Sequence, residues 1–219
     1  MAMEISIVDH ELPDDTHNFY DVYFYSDRIN TLVTNDPSQV SHWLADTQRI
    51  HRRRLSKLIV GVDVEWRPNF NKYQENPVAT LQLCVGRRCL VFQILHCTKE
   101  YDDIPDDLRD FLGNTDYTFV GIGVQSDVEK LLEDYGLGVG GSVVDLRNLA
   151  AEECGMKQLR NAGMKELARV VLGREVGKPR RVTMGRWDYR WLTPDQVQYA
   201  CVDAFVSFEI GRRLNASGN

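Results

Sequence analysis

Asp63 and Glu65 stand two residues apart in LIVGVDVEW, residues 58–66, a stretch otherwise almost wholly apolar. Such a Leu/Ile/Val run predicts a core strand. Residues i and i+2 of a strand point to one face, so both carboxylates converge on one small volume. Buried charge is costly without a partner or a metal. An all-oxygen donor set favours magnesium or manganese over zinc. The plainer alternative is a solvated edge strand. Asp127 follows the apolar run YTFVGIGV, 117–124, in the first turn of a predicted helix. The helix dipole alone also favours an acid there. Tyr199 and Asp203 lie four apart in QYACVDA, on one helical face; such a tyrosine also reads as a core residue with a satisfied hydroxyl. Gathered at one end of a sheet, the four acids would hold two divalent ions about 4 Å apart, the clamp for in-line phosphoryl displacement.

Positioning these groups requires a particular set of elements. Residues 1–17 read as a flexible arm and 18–219 as a single domain. YDVYFYS (20–26) and INTLVT (29–34) predict a hairpin around Asp27-Arg28. Asp36-Pro37-Ser38 opens a helix with Val40, Trp43, Leu44 and Thr47 on one face. The acid-bearing strand follows, then a second hairpin turning at Gly86-Arg87, giving a three-stranded meander. From Pro105 onward helices and strands alternate, and one helix stops at Gly136. Thr193-Pro194-Asp195 starts a long last helix reaching about Leu214. The predicted class is α/β: a mixed sheet, antiparallel first, then parallel strands joined by helices. Gly121-Ile122-Gly123 suggests a dinucleotide loop, but the third glycine is missing; the glycines read better as sites of close packing or close ligand approach.

The 219 residues, 43% hydrophobic and 26% charged, are enough for one sizeable core. No run approaches the ~18 apolar residues of a spanning helix, and the acidic N-terminus lacks signal-peptide order. The five cysteines form no C-x-x-C pair and predict reduced thiols in an intracellular protein, cytoplasmic or nuclear, without a zinc site. A net charge of -6 argues against coating nucleic acid by broad electrostatics. It leaves room for an enzyme that grips one strand end. Two basic clusters stand out, Arg49 to Lys57 and Arg174 to Arg186, each also readable as a solvated surface.

In order along the chain stand VDVEW, PVATLQLCV, VGIGVQSDVEKL, LARVVLG with Lys178, Gly185-Arg186-Trp187 and LTPDQVQYACVDA. Over residues 55–215 this resembles the DEDD 3′–5′ exonuclease family, also called DnaQ-like or ribonuclease H-like. It is most similar to the Werner-type and ribonuclease D-type branch, whose last motif is Tyr-x-x-x-Asp. Gln198 stands where the sister branch has histidine. The resemblance implies a ribonuclease H-like fold and two magnesium or manganese ions. Asp63 would bridge both ions, Glu65 and Asp203 would complete the water-activating site, Asp127 would support the second ion, and Tyr199 would orient the water. Val64, Trp66, Gly123, Gln125 and Ser126 would hold the terminal nucleotide, with Trp66, Phe70 or Tyr73 stacking a base. The first hairpin and TLVTNDPSQVSHWL are similar to a plant subgroup of small exoribonucleases that clear RNA fragments from silencing complexes. That resemblance implies single-stranded RNA as substrate, a silencing protein as partner, and a homohexamer. DNA repair, or a catalytically silent binding module, are the alternatives. Tyr189-Arg190-Trp191 is bulkier than the family pattern, which bears on substrate fit. With no helicase or ribonuclease D-type helical domain following, processivity is expected to come from self-association or a partner.

Overall fold

The computed structural model describes residues 5–12, 16–69, 75–97 and 104–218. Its strands are β1 (Ile5–Asp9), β2 (His17–Phe24), β3 (Asp27–Thr34), β4 (Ile59–Trp66), β5 (Val78–Val85), β6 (Arg88–Phe92), β7 (Thr118–Gly121) and β8 (Ser142–Asp145). Its helices are α1 (Pro37–His51), α2 (Ile94–Cys97), α3 (Asp106–Gly113), α4 (Val124–Tyr135), α5 (Leu146–Glu153), α6 (Met164–Leu167), α7 (Arg180–Thr183) and α8 (Pro194–Arg213). The strands form one sheet in the order β1-β2-β3-β6-β5-β4-β7-β8. The meander β4-β5-β6 is antiparallel, and β7 and β8 join β4 in parallel, as the alternation of helix and strand predicts.

Helices cover both faces. Val40, Trp43 and Leu44 of α1, Leu108 of α3 and Leu131 of α4 form one buried cluster with Val60, Val62 and Leu83. Leu146 and Ala150 of α5 and Val202, Phe205 and Val206 of α8 form the other, with Val22, Phe24 and Val91. β4 is therefore walled on both sides, which accounts for its continuous apolar run. The long α8 begins where Thr193 forms a capping box with Gln196 and Pro194 takes the first helical position.

The N-terminal part departs from the sequence expectation. Residues 5–9 of the expected arm form β1, paired antiparallel with β2 from Ile5↔Phe24 to Asp9↔Tyr20. Ile5 and Ile7 alternate inward against the α8-side cluster, a period-2 signal that the acidic surroundings mask. The first hairpin turns at Tyr25-Ser26, with Tyr25 at φ 56, and Asp27 already belongs to β3. This hairpin is no appendage: β3 pairs in parallel with β6, Thr31 opposite Cys89, and so extends the central sheet. Local periodicity cannot encode that pairing, because it joins segments more than fifty residues apart.

Candidate active site

β4 carries Asp63 opposite Gln82 of β5 and Glu65 opposite Thr80. The register then shifts between Glu65 and Trp66, a bulge that ends regular pairing just past the acids. Gln82 and Thr80 are fully buried, and the Gln82 amide donates to the Thr80 hydroxyl at 2.6 Å. These polar neighbours were not foreseen as part of the site. Their signal was present: two polar residues at i, i+2 inside the apolar ATLQLCV, the same spacing as the acids.

Gly61 decides how α8 approaches. A Cβ there would stand 2.1 Å from the Ala204 carbonyl oxygen and 2.8 Å from the Phe208 nitrogen. Only glycine lets the helix backbone lie directly on β4, and that contact brings Asp203 beside Asp63. Tyr199, one turn earlier, is 6% exposed and packs 6.1 Å from the fully buried Trp187 ring. Gly123, at φ 72, makes the left-handed step from β7 into α4. Helix α4 starts at Val124, with Asp127 in its first turn.

Electrostatics gather the four acids into one group. Burial pushes Asp63 well above the usual carboxylate range, and the charges of Glu65, Asp203 and Asp127 add to it. Burial and then Asp203 raise Glu65 to about 8. Burial and then Asp145 raise Asp127 to about 7. Asp203 rises to about 6 through burial, held down by a hydrogen bond from Tyr199 and by Lys178. Burial raises the Tyr199 hydroxyl as well, and the neighbouring acids raise it further. Oδ2 of Asp63 is buried without a hydrogen-bond partner. Among the described residues, no three carboxyl, imidazole or thiol groups are already closed into a metal-holding cage. The acids lie within electrostatic reach of one another without being drawn together.

Lys178 is the cation facing this group, lowering Asp63, Glu65 and Asp203 and lying 6.0 Å from the Tyr199 ring centroid. The second basic cluster is thus split. Lys178 serves the acids, Arg174 pairs with Asp27 at 2.9 Å, Arg181 pairs with Asp195, and Arg186 with Asp188 at 2.8 Å. In the first cluster Arg54 and Lys57 line a cleft near Ile59, at the far end of β4 from the acids. Asp145 is a further neighbour that the motifs did not mark. It accepts from the Gly123 N–H at 3.2 Å and caps α5. Burial raises its pKa, but hydrogen bonds from Arg147 overcome that and leave it lowered.

Of the expected nucleotide-holding residues, Val64 is buried beside the acids, Trp66 is half-buried, and Gly123, Gln125 and Ser126 ring the start of α4. The Gln125 amide is engaged with Glu129 at 3.1 Å. Lys130 lies 5.5 Å over the Trp66 ring. Phe70 and Tyr73 lie outside the described residues. Beside Tyr199 and Asp203 opens a cavity of about 220 Å³, walled by Ile5, Gly177, Arg181 and Val202. The β1 strand therefore borders the site.

Residues 33–218 match the 3′–5′ exonuclease family profile. The chain belongs to that family. It is 35% identical over 157 residues to a 3′–5′ exonuclease of Arabidopsis thaliana, covering 71% of this chain and 52% of the relative. It is 32% identical over 187 residues to exonuclease 3′–5′ domain-containing protein 2 of Drosophila melanogaster, 85% of this chain and 29% of the relative. The chain thus spans about half or less of the length of these relatives. Its fold is similar to that of Escherichia coli RNase D, with a TM-score of 0.68 at 18% identity over 86% of this chain and 45% of the other. The mixed eight-stranded sheet flanked by helices is a ribonuclease H-like exonuclease fold. Among the described residues, no helix is long and apolar enough to cross a membrane.

Proposed function

We propose that this exonuclease-family protein hydrolyses single-stranded nucleic acid from the 3′ end, with divalent metal, releasing nucleoside 5′-monophosphates. One observation carries the reading: Asp63, Glu65, Asp127 and Asp203, from three separate elements, share one buried volume, and the charges of the other three add to the rise that burial gives Asp63. Magnesium or manganese fits that volume, because the donors are all oxygen and a buried Asp63 oxygen has no partner. Asp63, Glu65, Asp127 and Asp203 would hold the two ions of this reading. When bound, the ions supply Lewis-acid stabilisation of the phosphate and lower the pKa of the attacking water.

The chain's own groups do the rest. Tyr199 stays un-ionised at neutral pH, and its hydroxyl donates to Asp203. Its oxygen lone pairs are then left to accept a hydrogen from a water, turning that water's own lone pair toward the phosphorus. The Lys178 ammonium offsets part of the acids' charge while the site fills. The first turn of α4, with Gly123 allowing close backbone approach, borders the place for the terminal nucleotide.

One domain over residues 18–219 carries this activity in our reading, with β1 added at its edge. RNA is the favoured strand and the clearing of fragments from silencing complexes the favoured role, in a cytoplasmic or nuclear homohexamer. Support for these finer points is the N-terminal resemblance to the plant exoribonucleases. The test is incubation with matched 3′-labelled RNA and DNA strands, with manganese or with EDTA. Labelled mononucleotide should appear with manganese only, faster from RNA, and not with Asp63→Asn. Release of long fragments instead, or equal rates in EDTA, refutes the activity; faster release from DNA refutes the RNA assignment alone.

A further inference from the structure

Met184, Tyr189 and Trp191 are 46%, 53% and 55% exposed, three of the six large apolar side chains most open to solvent among the described residues. Single exposed apolar residues are ordinary. Three within eight residues of one loop are not, and here each aromatic ring has an arginine beside it. The Arg186 guanidinium lies 4.3 Å from the Tyr189 ring centroid, and that of Arg190 5.9 Å from the Trp191 ring. Arg190 makes no ion pair among the described residues, so its charge is open to an anion.

The loop is held firmly beside the acids. The Gln93 amide donates to the Tyr189 and Arg190 carbonyls, at 3.3 and 2.9 Å. His96 bonds the Asp188 carbonyl at 3.1 Å. Asp188 holds Arg186 at 2.8 Å and reaches Arg67, two residues past Glu65, at 3.5 Å. Trp187, within the same loop, packs on Tyr199. A pinned backbone presenting two open rings loses little freedom when something stacks on them.

We propose that Tyr189 and Trp191 form a stacking platform for the bases of the single strand leading into the acid cluster, with Arg190 meeting its phosphates. This rests on the exonuclease reading and adds to it a determinant of strand selection: unstacked bases are required upstream of the reacting end. Alternating rings and guanidinium groups suit a strand that offers a flat base and a negative phosphate at each step. A purely electrostatic groove would need the charge without the rings.

The decisive pair of ligands is a fluorescent twelve-nucleotide strand and an abasic strand of the same length and charge. Binding is followed by fluorescence anisotropy in EDTA, where hydrolysis plays no part. Wild-type protein should prefer the base-bearing strand. Tyr189→Ala and Trp191→Ala should each weaken that binding about tenfold, the scale of one stacked base, and leave abasic binding unchanged. Trp191→Phe should keep most of the preference. Both side chains are exposed, so unchanged melting temperatures are expected. Equal effects on both strands, or no effect on either, overturn the platform. So does an unchanged base preference in alanine variants that light scattering shows to have lost an oligomer, which would make the loop a subunit contact. A wild type that shows the preference but hydrolyses no strand with manganese would sink the exonuclease reading and leave the platform standing.

Discussion

Burial strains Asp63, Glu65, Asp127 and Asp203, mutual charge adds to it at Asp63 and Glu65, and this has a measurable sign. A carboxyl whose pKa is higher in the fold holds its proton more tightly when folded. Stability then falls as pH rises from the unfolded value near 4. The fall ends at about 6 for Asp203, about 7 for Asp127 and about 8 for Glu65. Asp21, Asp27 and Asp145 are shifted downward, so their contribution changes only at more acid pH. In EDTA the melting temperature should therefore drop between pH 5 and pH 8, and manganese should restore it at pH 8 by binding the native state. Asp63→Asn should flatten the drop and abolish the gain. Melting curves that coincide in EDTA and in manganese would count against the metal assignment. Tyr199→Phe tests the neighbouring role. Loss of a water-orienting oxygen should cost on the order of 100-fold in turnover while the manganese-induced gain in melting temperature persists. Asp203→Asn should lose both. Wild-type turnover in Tyr199→Phe would make the tyrosine a packing residue only.

The joint between β4 and α8 sets where the site exists. Ala204 and Phe208 of α8 lie against the strand at Gly61, and a methyl group there meets main-chain atoms that cannot move alone. Gly61→Ala should force the helix outward, at about 1–3 kcal/mol or more, seen as a lower urea midpoint. Displacement of Asp203 should also remove the stabilisation by manganese. A variant with native stability and native manganese response would show that the helix can shift without disturbing the acids. The bulge after Glu65 and the left-handed Gly123 do the complementary work. One ends strand pairing just past the acids, and the other turns the chain so that the first turn of α4 returns to them.

Across the whole molecule, charge and shape bear on assembly. The net charge is -6, yet Arg54 and Lys57 are gathered in a cleft at the end of the sheet away from the acids. β1 is an edge strand, and Ile5 borders the cavity beside Tyr199. An edge strand at the border of a site is a place where a second copy can pair and alter access. The homohexamer we propose predicts a light-scattering mass several times the 25.2 kDa of one chain at low micromolar concentration. Truncation of residues 1–9 should then reduce both the mass and the turnover. A fully active particle near 25.2 kDa refutes the assembly.

The sequence by itself determined the acid-bearing strand, the last helix, the meander and the spacing of the five candidate residues. Each of those signals is local: an apolar run with acids at i, i+2, a capped helix with Tyr and Asp at i, i+4, turns at Gly86 and Gly136. Local periodicity could also have shown β1, where Ile5 and Ile7 alternate, but a short acidic segment hid it. Tertiary structure decided the parallel pairing of β3 with β6, which makes the first hairpin part of the main sheet. It decided that Lys178, rather than the rest of its basic cluster, faces the acids, and that Asp145 stands behind Asp127. It also decided that Tyr189 and Trp191 stay open while Trp187, two residues before Tyr189, is wholly buried. Side chains adjacent in sequence take opposite environments there because distant Gln93 and His96 fix the loop's backbone. No pattern within the loop itself encodes those anchors.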